Sequence, residues 1–143
     1  MIEDVTTTWK ATKPVSGLYI VRSIVDPSRI RISAGGNRGG KAGLHQRLMI
    51  HGRVRVGAPT CETHVFAPFD VLHAWRMNGW TAPQIKAGET CLYRAFLIGF
   101  PRHNGNLPDD SLFAVPHDYH LEPVIAEVEA DLHTLARINV LAA

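Results

Sequence analysis

The stretch from residue 16 to residue 51 constrains the fold most strongly, because it opens with two short segments that favour β-strands. Residues 16–25 are rich in β-branched and aromatic side chains, which favour an extended chain. Residues 29–33 read Arg-Ile-Arg-Ile-Ser, and this period of two predicts a strand with one buried face. Residues 26–28, Asp-Pro-Ser, are typical of a turn. The sequence therefore predicts a β-hairpin.

A basic, glycine-rich loop is predicted to follow the hairpin. Residues 34–43 contain five glycines and favour a loop, whereas residues 44–51 are predicted to form a short helix. Eight Lys and Arg residues, and a single acid, lie between Arg22 and Arg55. The whole chain has a net charge of only +2, yet a local concentration of positive charge can attract a polyanion. A solvated basic face that balances acids elsewhere in the fold explains the same pattern.

The remainder of the chain predicts further elements around the hairpin. Thr81 and Gln84 have the spacing of a capping box, which indicates the start of the longest central helix. Asp70 is a suitable N-cap for a shorter helix. The predicted elements are a strand over residues 62–69, helices over residues 70–77 and 83–100, an edge strand over residues 111–115 and a closing helix over residues 121–138. Their order predicts an α/β fold of the α+β type, with helices packed on a mostly antiparallel sheet.

The length and composition are those of a single globular domain. The chain has 143 residues, of which 45% are hydrophobic and 20% are charged, enough for one hydrophobic core. We divide it into an N-terminal arm (1–15), a core (16–110) and a C-terminal strand and helix (111–143). No apolar run approaches the roughly 20 residues of a membrane span, and the N-terminal residues lack a signal-peptide core. We therefore expect a cytoplasmic protein without a membrane partner.

Neither the cysteines nor the histidines follow a metal-binding pattern. Cys61 and Cys91 are far apart and have no CxxC spacing, which argues against a disulfide framework or a zinc site. The eight histidines form no HxH or HxxxH run. His117 and His120 are close together, and we expect them to be polar surface residues.

Glu89 is a charged residue on the apolar side of the predicted central helix. Ile85, Leu92 and Phe96 recur at helical spacing, and Glu89 precedes Leu92 by one helical turn. A carboxylate in such a stripe is costly unless it is paired, protonated or bound to a metal ion. The alternative is that Glu89 lies at the edge of the stripe and pairs with a nearby arginine.

Arg47 and His51 share one face of the short helix, because they are four residues apart. A guanidinium group binds phosphate through two parallel N–H groups, and a neighbouring histidine can hold a phosphate or transfer a proton. An exposed polar helix face is the alternative explanation. Tyr19 lies on the first predicted strand, where a tyrosine is usually a core residue.

Taken together, these residues resemble the GIY-YIG nuclease family, in its phage-type branch. The resemblance covers about residues 16–138 and depends on the order and spacing of short motifs. The matching segments are Gly17-Leu18-Tyr19 for the first motif, Arg31-Ile32-Ser33 for the second, Arg47 with Leu48 and His51 for the helix signature, Glu89 with Leu92 and Tyr93 for the metal-binding helix, and Pro101 to Asn104 for a later asparagine.

The resemblance implies a small three-stranded antiparallel sheet flanked by helices, with an added C-terminal helix. It also implies hydrolysis of DNA phosphodiester bonds with one divalent ion, Mg²⁺ or Mn²⁺. Tyr19 would activate water or act as the general base, Arg47 would neutralise charge on the phosphorane, and Glu89 would hold the metal. His51 would support the phosphate or a proton relay. The expected contacts to the DNA backbone are Arg22, Arg38, Lys41 and Asn104.

Two residues depart from the family's second motif. Arg31 replaces a tyrosine or a lysine, and an arginine is a poor proton partner because it stays charged. Ser33 replaces a glycine. The alternative hypothesis is therefore a catalytically degenerate domain of this type, which binds nucleic acid or a protein partner without cleavage. A third hypothesis is an interaction domain with an unrelated α/β fold, which is favoured if Tyr19, Arg47 and Glu89 do not converge on one cleft.

Overall fold

The computed structural model describes residues 2–24, 26–36, 43–51, 69–100 and 112–142. Within these ranges the chain forms five strands and four helices. The strands are β1 (Glu3–Asp4), β2 (Gly17–Ser23), β3 (Arg29–Gly35), β4 (Phe69–Arg76) and β5 (Leu112–Ala114). The helices are α1 (Trp9–Thr12), α2 (Leu44–His51), α3 (Ala82–Gly99) and α4 (Glu122–Ala142). The predicted hairpin, short helix, central helix and closing helix are confirmed.

All five strands belong to one antiparallel sheet, in the order β1-β4-β2-β3-β5. The predicted α+β class is confirmed, but the expected three-stranded sheet is wrong in its number of strands. The long strands β4, β2 and β3 form the centre, and the short strands β1 and β5 pair with their outer edges. The short strands thereby cover backbone groups that would otherwise lie at exposed sheet edges. The edge strand predicted over residues 111–115 is confirmed as β5.

Strand β4 replaces the helix that the sequence predicts over residues 70–77. Asp70 lies within the strand and caps no helix. The Asn-Gly pair after the strand forms a turn, in which Gly79 has a φ of 80° and the Trp80 N–H donates to the Met77 carbonyl at 3.3 Å. Asp and Asn-Gly mark chain reversals as well as helix ends, so these signals did not distinguish a helix from a strand. The strand predicted over residues 62–69 lies outside the described residues except for its last position.

The larger hydrophobic core lies on the face of the sheet that carries Leu18, which we call the Leu18 face. Helices α3 and α4 cover this face. Its buried members include Leu18, Ile20, Ile30, Ile32, Ala34, Trp75 and Phe113 from the strands, and Ile85, Leu92, Phe96, Val128 and Leu132 from the helices. Apolar area removed from water by this two-layer packing is the main favourable contribution to folding.

The opposite face carries Tyr19 and is covered by α1 and α2; we call it the Tyr19 face. Its buried members are Val5, Trp9, Tyr19, Val21, Leu44, Leu48 and Ala74. In the sheet register, Tyr19 lies opposite Ser33 on one side and Ala74 on the other. Val21 lies opposite Arg31. Because directly opposed residues point to the same side of a sheet, Ser33 and Arg31 belong to the Tyr19 face.

The N-terminal arm is docked on the sheet. The Val5 N–H donates to the Ala74 carbonyl at 2.9 Å, and the Thr6 hydroxyl accepts the Ala74 N–H at 3.1 Å. Trp9 of α1 is buried in the smaller core. The arm therefore extends the sheet and also contributes to its packing.

Helix α3 begins at the predicted capping box. Thr81 Oγ1 accepts the Gln84 N–H at 3.3 Å, and the Thr81 N–H donates to Gln84 Oε1 at 2.8 Å. These two bonds satisfy backbone and side-chain groups reciprocally at the first turn. None of the helices in the described ranges is both long and apolar enough to cross a membrane.

The turn between β2 and β3 is organised by the carboxylate of Asp26. Asp26 Oδ1 accepts the Ser28 hydroxyl at 2.6 Å and the Ser28 N–H at 3.2 Å, while Oδ2 accepts Arg29 Nε at 3.0 Å. The Ser28 hydroxyl lowers the pKa of Asp26 most; partial desolvation opposes it, and the Ser28 N–H and the Arg29 charge lower it further. The net result is a pKa below the ordinary value of 3.8.

The start of α2 lies unusually close to the sheet at two paired glycines. Gly17 and Gly35 are opposite each other in β2 and β3. A Cβ atom on Gly17 would lie 1.8 Å from the Trp75 carbonyl oxygen and 2.9 Å from the Leu44 side chain, and one on Gly35 would lie 2.5 Å from the Leu44 Cα. Only glycine permits this approach of backbone to backbone.

We predict that Gly17→Ala destabilises the protein by about 1–3 kcal/mol, the usual range for overpacking a filled site. The added methyl group must displace β4, α2 or both. Urea unfolding followed by circular dichroism measures the change. Gly99→Ala is the control, because nothing lies within 4 Å of its Cβ position; its stability should be unchanged or raised by up to about 1 kcal/mol. Equal stability of the two variants would contradict the proposed close approach.

We predict that Asp26→Asn weakens the dependence of stability on acid pH. A group with a lowered pKa in the folded state contributes stability above its ordinary pKa, and this contribution is lost as the pH falls through the folded-state value. The wild type should therefore lose more stability than the variant between about pH 5 and pH 2. The difference should not exceed about 1 kcal/mol, because Asp26 is partly exposed. Urea unfolding at several pH values tests this, and parallel curves for the two proteins would refute it.

Candidate functional site

Tyr19 lies at the centre of the fold, on the middle strand β2. Its side chain is fully buried and packs in the smaller core with Leu44 and Leu48 of α2. Such a tyrosine contributes to packing in the structure as it stands. Access of a substrate to its hydroxyl requires movement of the groups that cover it.

Arg47 lies on α2, the helix that covers the Tyr19 face. Leu44 and Leu48 anchor this helix in the core, which holds the Arg47 backbone next to the sheet. The Arg47 side chain is half-buried, and its Nε atom is shielded from water without a hydrogen-bond acceptor in the described part of the chain. A buried donor without an acceptor costs about 1–3 kcal/mol, so an anionic oxygen at this position would be stabilising.

The first turn of α2 is occupied by backbone contacts. The Leu44 N–H donates to the Val15 carbonyl and the His45 N–H donates to the Pro14 carbonyl, both at 2.8 Å. These bonds use N–H groups that bind anions at many helix N-termini. The cationic character of this region therefore comes from side chains such as Arg47.

Glu89 lies on α3, which packs on the Leu18 face, opposite to the face that carries Tyr19 and Arg31. Its side chain is only 8% exposed, and its Oε1 accepts a hydrogen bond from Lys86 Nζ at 3.0 Å. The Lys86 side chain is 66% exposed. Glu89 therefore has the partner that a carboxylate in this stripe was expected to need, and this partner is a lysine one helical turn earlier. The sequence pointed to an arginine or a metal ion in that role.

Arg22 also lies on the Leu18 face, since it is opposite Ile30 in the sheet register. It lines an open cavity of about 320 Å³ together with Leu72, His73, Tyr119, His120, Leu121, Glu122 and Ile125. Among the described residues no acceptor reaches its buried Nε atom. Arg22 and Arg47 are therefore two separate cationic positions on opposite sides of the sheet.

The side chains of the remaining candidate residues lie outside the described part of the chain. Arg38, Lys41 and Asn104 lie outside the described residues. His51 is the last residue of α2, and its side chain is outside the described part of the chain. The structure thus brings Tyr19, Arg31 and Arg47 to one face, and assigns Arg22 and Glu89 to the other.

A cluster that the sequence did not reveal lies where β1, β4 and α4 meet. Asp4, His73 and Glu129 each offer one ligand atom, and these atoms lie within 4.8 Å of one another. His73 Nε2 lies 3.3 Å from Glu129 Oε1 and 3.7 Å from Asp4 Oδ2. We call these three residues the Asp4–His73–Glu129 cluster. Histidine nitrogen and carboxylate oxygen are ligands of transition-metal ions.

Surrounding groups orient both carboxylates of the cluster. Thr6 donates to Asp4 Oδ1 through its N–H at 2.9 Å and its hydroxyl at 2.6 Å, and Trp75 Nε1 donates to Glu129 Oε1 at 3.1 Å. Partial burial raises the pKa of Asp4, but the Thr6 hydrogen bonds and the positive charge of His73 lower it, and the net pKa is below its ordinary value. The Asp4 carboxylate is therefore stabilised in its charged form.

No local sequence pattern predicts this cluster, because its members come from three distant parts of the chain. His73 lies in the segment that the sequence predicts as a helix. Once β4 is recognised as a strand, alternation places His73 and Trp75 on one face, and their rings are 4.3 Å apart between centroids. That alternation is the only sequence signal that points to His73.

No family model matches the sequence, and no curated protein and no solved structure matches the chain significantly. The fold and the two candidate sites define an α+β domain with a five-stranded antiparallel sheet covered by helices on both faces.

Proposed function

We propose that the protein is a metal-dependent DNA endonuclease of the GIY-YIG type, which hydrolyses phosphodiester bonds with one Mg²⁺ or Mn²⁺ ion. The observation that carries this proposal is the common placement of Tyr19, Arg31 and Arg47 around one face of the sheet. Arg47 adds a half-buried guanidinium group whose Nε has no acceptor among the described residues. A phosphate group is a suitable ligand for such a cation.

Each of the candidate residues would have a separate role in the reaction. Arg47 donates to the nonbridging oxygens of the scissile phosphate and stabilises the added negative charge in the transition state. Tyr19, once its own hydroxyl proton has been passed on, would accept a proton from the attacking water, after displacement of the groups that cover its ring. Arg31 increases the positive potential at the phosphate. His51 supports the phosphate or relays a proton, and Arg22, Arg38, Lys41 and Asn104 contact the DNA backbone.

Glu89 is the residue that would hold the divalent ion. A single carboxylate that leaves most coordination positions to water and substrate oxygens suits Mg²⁺. The Lys86 ion pair opposes this role but does not prevent it, since one hydrogen bond to an exposed lysine is readily displaced. When bound, the ion would stabilise the charge of the reacting phosphate. Glu89 lies on the helix packed against the Leu18 face, so a phosphate held by Arg47 would reach the ion only after a rearrangement that brings α2 and α3 to one cleft.

A degenerate domain that binds nucleic acid without cleavage is the second candidate. The ion pair of Glu89 with Lys86 at 3.0 Å favours it, because it neutralises the carboxylate without a metal ion. The burial of Tyr19 and the arginine at position 31 point in the same direction. Both candidates require DNA binding near Arg47, and both suit a cytoplasmic protein with a free Cys91 thiol.

We predict that purified protein cleaves supercoiled plasmid in the presence of Mg²⁺ or Mn²⁺, and that Glu89→Gln lowers the rate at least about 100-fold. The loss is expected because a metal ion contributes several kcal/mol to the transition state. The substitution keeps the size of the side chain and one oxygen that can accept the Lys86 hydrogen bond. Glu127→Gln, on the exposed side of α4, is the matched control and should leave the rate unchanged.

The Lys86→Ala variant separates the two candidates. If Glu89 holds the ion, removal of its competing lysine should lower the Mg²⁺ concentration that gives half-maximal cleavage. If the domain only binds DNA, wild type, Lys86→Ala and Glu89→Gln should all leave the plasmid intact over the whole range of metal concentrations. That second outcome excludes the endonuclease.

We predict that Arg47→Met weakens DNA binding and lowers the salt dependence of the binding constant by about one phosphate contact, a slope change of roughly 0.9. Methionine keeps the aliphatic part of the side chain and removes the buried Nε donor, so folding stability should be unchanged or raised. Fluorescence anisotropy with a short duplex at several salt concentrations measures the slope. Arg137→Met, on the exposed part of α4, is the control. Identical slopes for both variants would exclude Arg47 as a phosphate contact.

A further inference from the structure

The Asp4–His73–Glu129 cluster joins three separate elements of the fold. Asp4 comes from β1, His73 from β4 and Glu129 from α4. The carboxylate oxygens lie 3.3 Å and 3.7 Å from His73 Nε2. In a tetrahedral site with bonds of roughly 2.0–2.1 Å, ligand atoms are separated by about 3.3 Å. The two distances from His73 Nε2 are close to that spacing, and all three ligand atoms lie within 4.8 Å of one another.

The state of His73 Nε2 is a second, independent indication of a ligand. This atom is shielded from solvent, and within the described ranges it makes no hydrogen bond. Glu129 Oε1, at 3.3 Å, is close enough but does not lie in the direction that an N–H hydrogen bond requires, and Asp4 Oδ2, at 3.7 Å, is too far. A histidine nitrogen placed beside two carboxylate oxygens has the arrangement of a metal ligand.

Neighbouring side chains hold the ligands in place. Thr6 binds Asp4 Oδ1 through two hydrogen bonds and thereby leaves Oδ2 facing His73. Trp75 Nε1 donates to Glu129 Oε1 at 3.1 Å, and the Trp75 ring packs on the imidazole. Partners of this kind fix the orientation of metal ligands in established sites.

We propose that Asp4, His73 and Glu129 form a binding site for a divalent transition-metal ion of the Zn²⁺ type, with a fourth position for water. Three protein ligands with one open position is a common zinc arrangement. The imidazole favours Zn²⁺ over Mg²⁺, which prefers oxygen ligands and keeps most of its water. This site is separate from Glu89 and does not depend on the proposed nuclease activity.

Occupancy of this site would connect the N-terminal strand, the sheet and the C-terminal helix. Asp4 is 57% exposed and Glu129 is 39% exposed, whereas His73 is 12% exposed. An ion can therefore enter from the Asp4 side and reach the buried nitrogen. The rival explanation is a protonated His73 held by two ion pairs with no metal ion.

The test uses the full chain after removal of metal ions with EDTA. Isothermal titration with Zn²⁺ should show one tight equivalent, and Co²⁺ should give the visible absorption of a tetrahedral site. The double variant Asp4→Asn with Glu129→Gln preserves the hydrogen bonds from Thr6 and Trp75. Its Zn²⁺ affinity should fall at least about 10-fold, because loss of an outer partner alone typically costs that much.

A matched control is the exposed pair of His120 and Glu122. These side chains lie 3.9 Å apart and are 90% and 82% exposed, so His120→Ala with Glu122→Gln should leave Zn²⁺ binding unchanged. Circular dichroism of each variant establishes that it is folded. The ¹⁵N chemical shift of His73 Nε2 should change on addition of Zn²⁺ in the wild type.

Three results would overturn the proposal. The first is no tight Zn²⁺ equivalent in the wild type, and the second is equal affinity in the Asp4→Asn, Glu129→Gln double variant. The third is an imidazolium signal for His73 that Zn²⁺ does not alter, which would establish the protonated alternative. Plasmid cleavage does not enter any of these readouts, so failure here leaves the endonuclease proposal unaffected.

Discussion

The close approach of α2 to the sheet at Gly17 and Gly35 is the constraint on which the Tyr19 face depends. No Cβ atom fits on Gly35 because of the Leu44 backbone, and none fits on Gly17 because of the Trp75 carbonyl and the Leu44 side chain. Carbonyl groups of residues 14 and 15 cap the first turn of the helix. The position of α2 is thereby fixed at its N-terminal end. As a result Arg47, in the first turn, is held beside the strand that carries Tyr19.

Because helices cover both faces of the sheet, candidate residues that the family motifs group together lie on opposite sides of the sheet. The alternation of β2 directs Tyr19 to one core and Leu18 to the other. Glu89 lies on the same side of the sheet as Leu18, because α3 packs on that face. The sheet therefore lies between Tyr19 and Glu89, and Lys86 pairs with the Glu89 carboxylate on the Leu18 side.

The sequence correctly predicted the elements that are stabilised by contacts between residues close together in the chain. The Asp26 turn, the Thr81 capping box and the apolar stripe of the closing helix each involve residues within one or two turns, and all of these elements formed. The signals failed where pairing decides the outcome. β4 is a strand because it lies between β2 and β1, and the cluster around His73 depends on contacts between distant segments. A single sequence does not encode such contacts in any spacing.

The two-residue strand β1 is too short to remain on the sheet through backbone pairing alone. Side-chain interactions of β1 add to the stability of its pairing with β4: Glu3 pairs with Arg76, and Asp4 faces His73. An ion bound in the Asp4–His73–Glu129 cluster would add a bond from β1 to α4 as well. Such a bond holds the edge of the sheet closed, because β1 covers the backbone of β4. β1, one of the two strands beyond the expected three, is thus the element whose retention a metal ion would most affect.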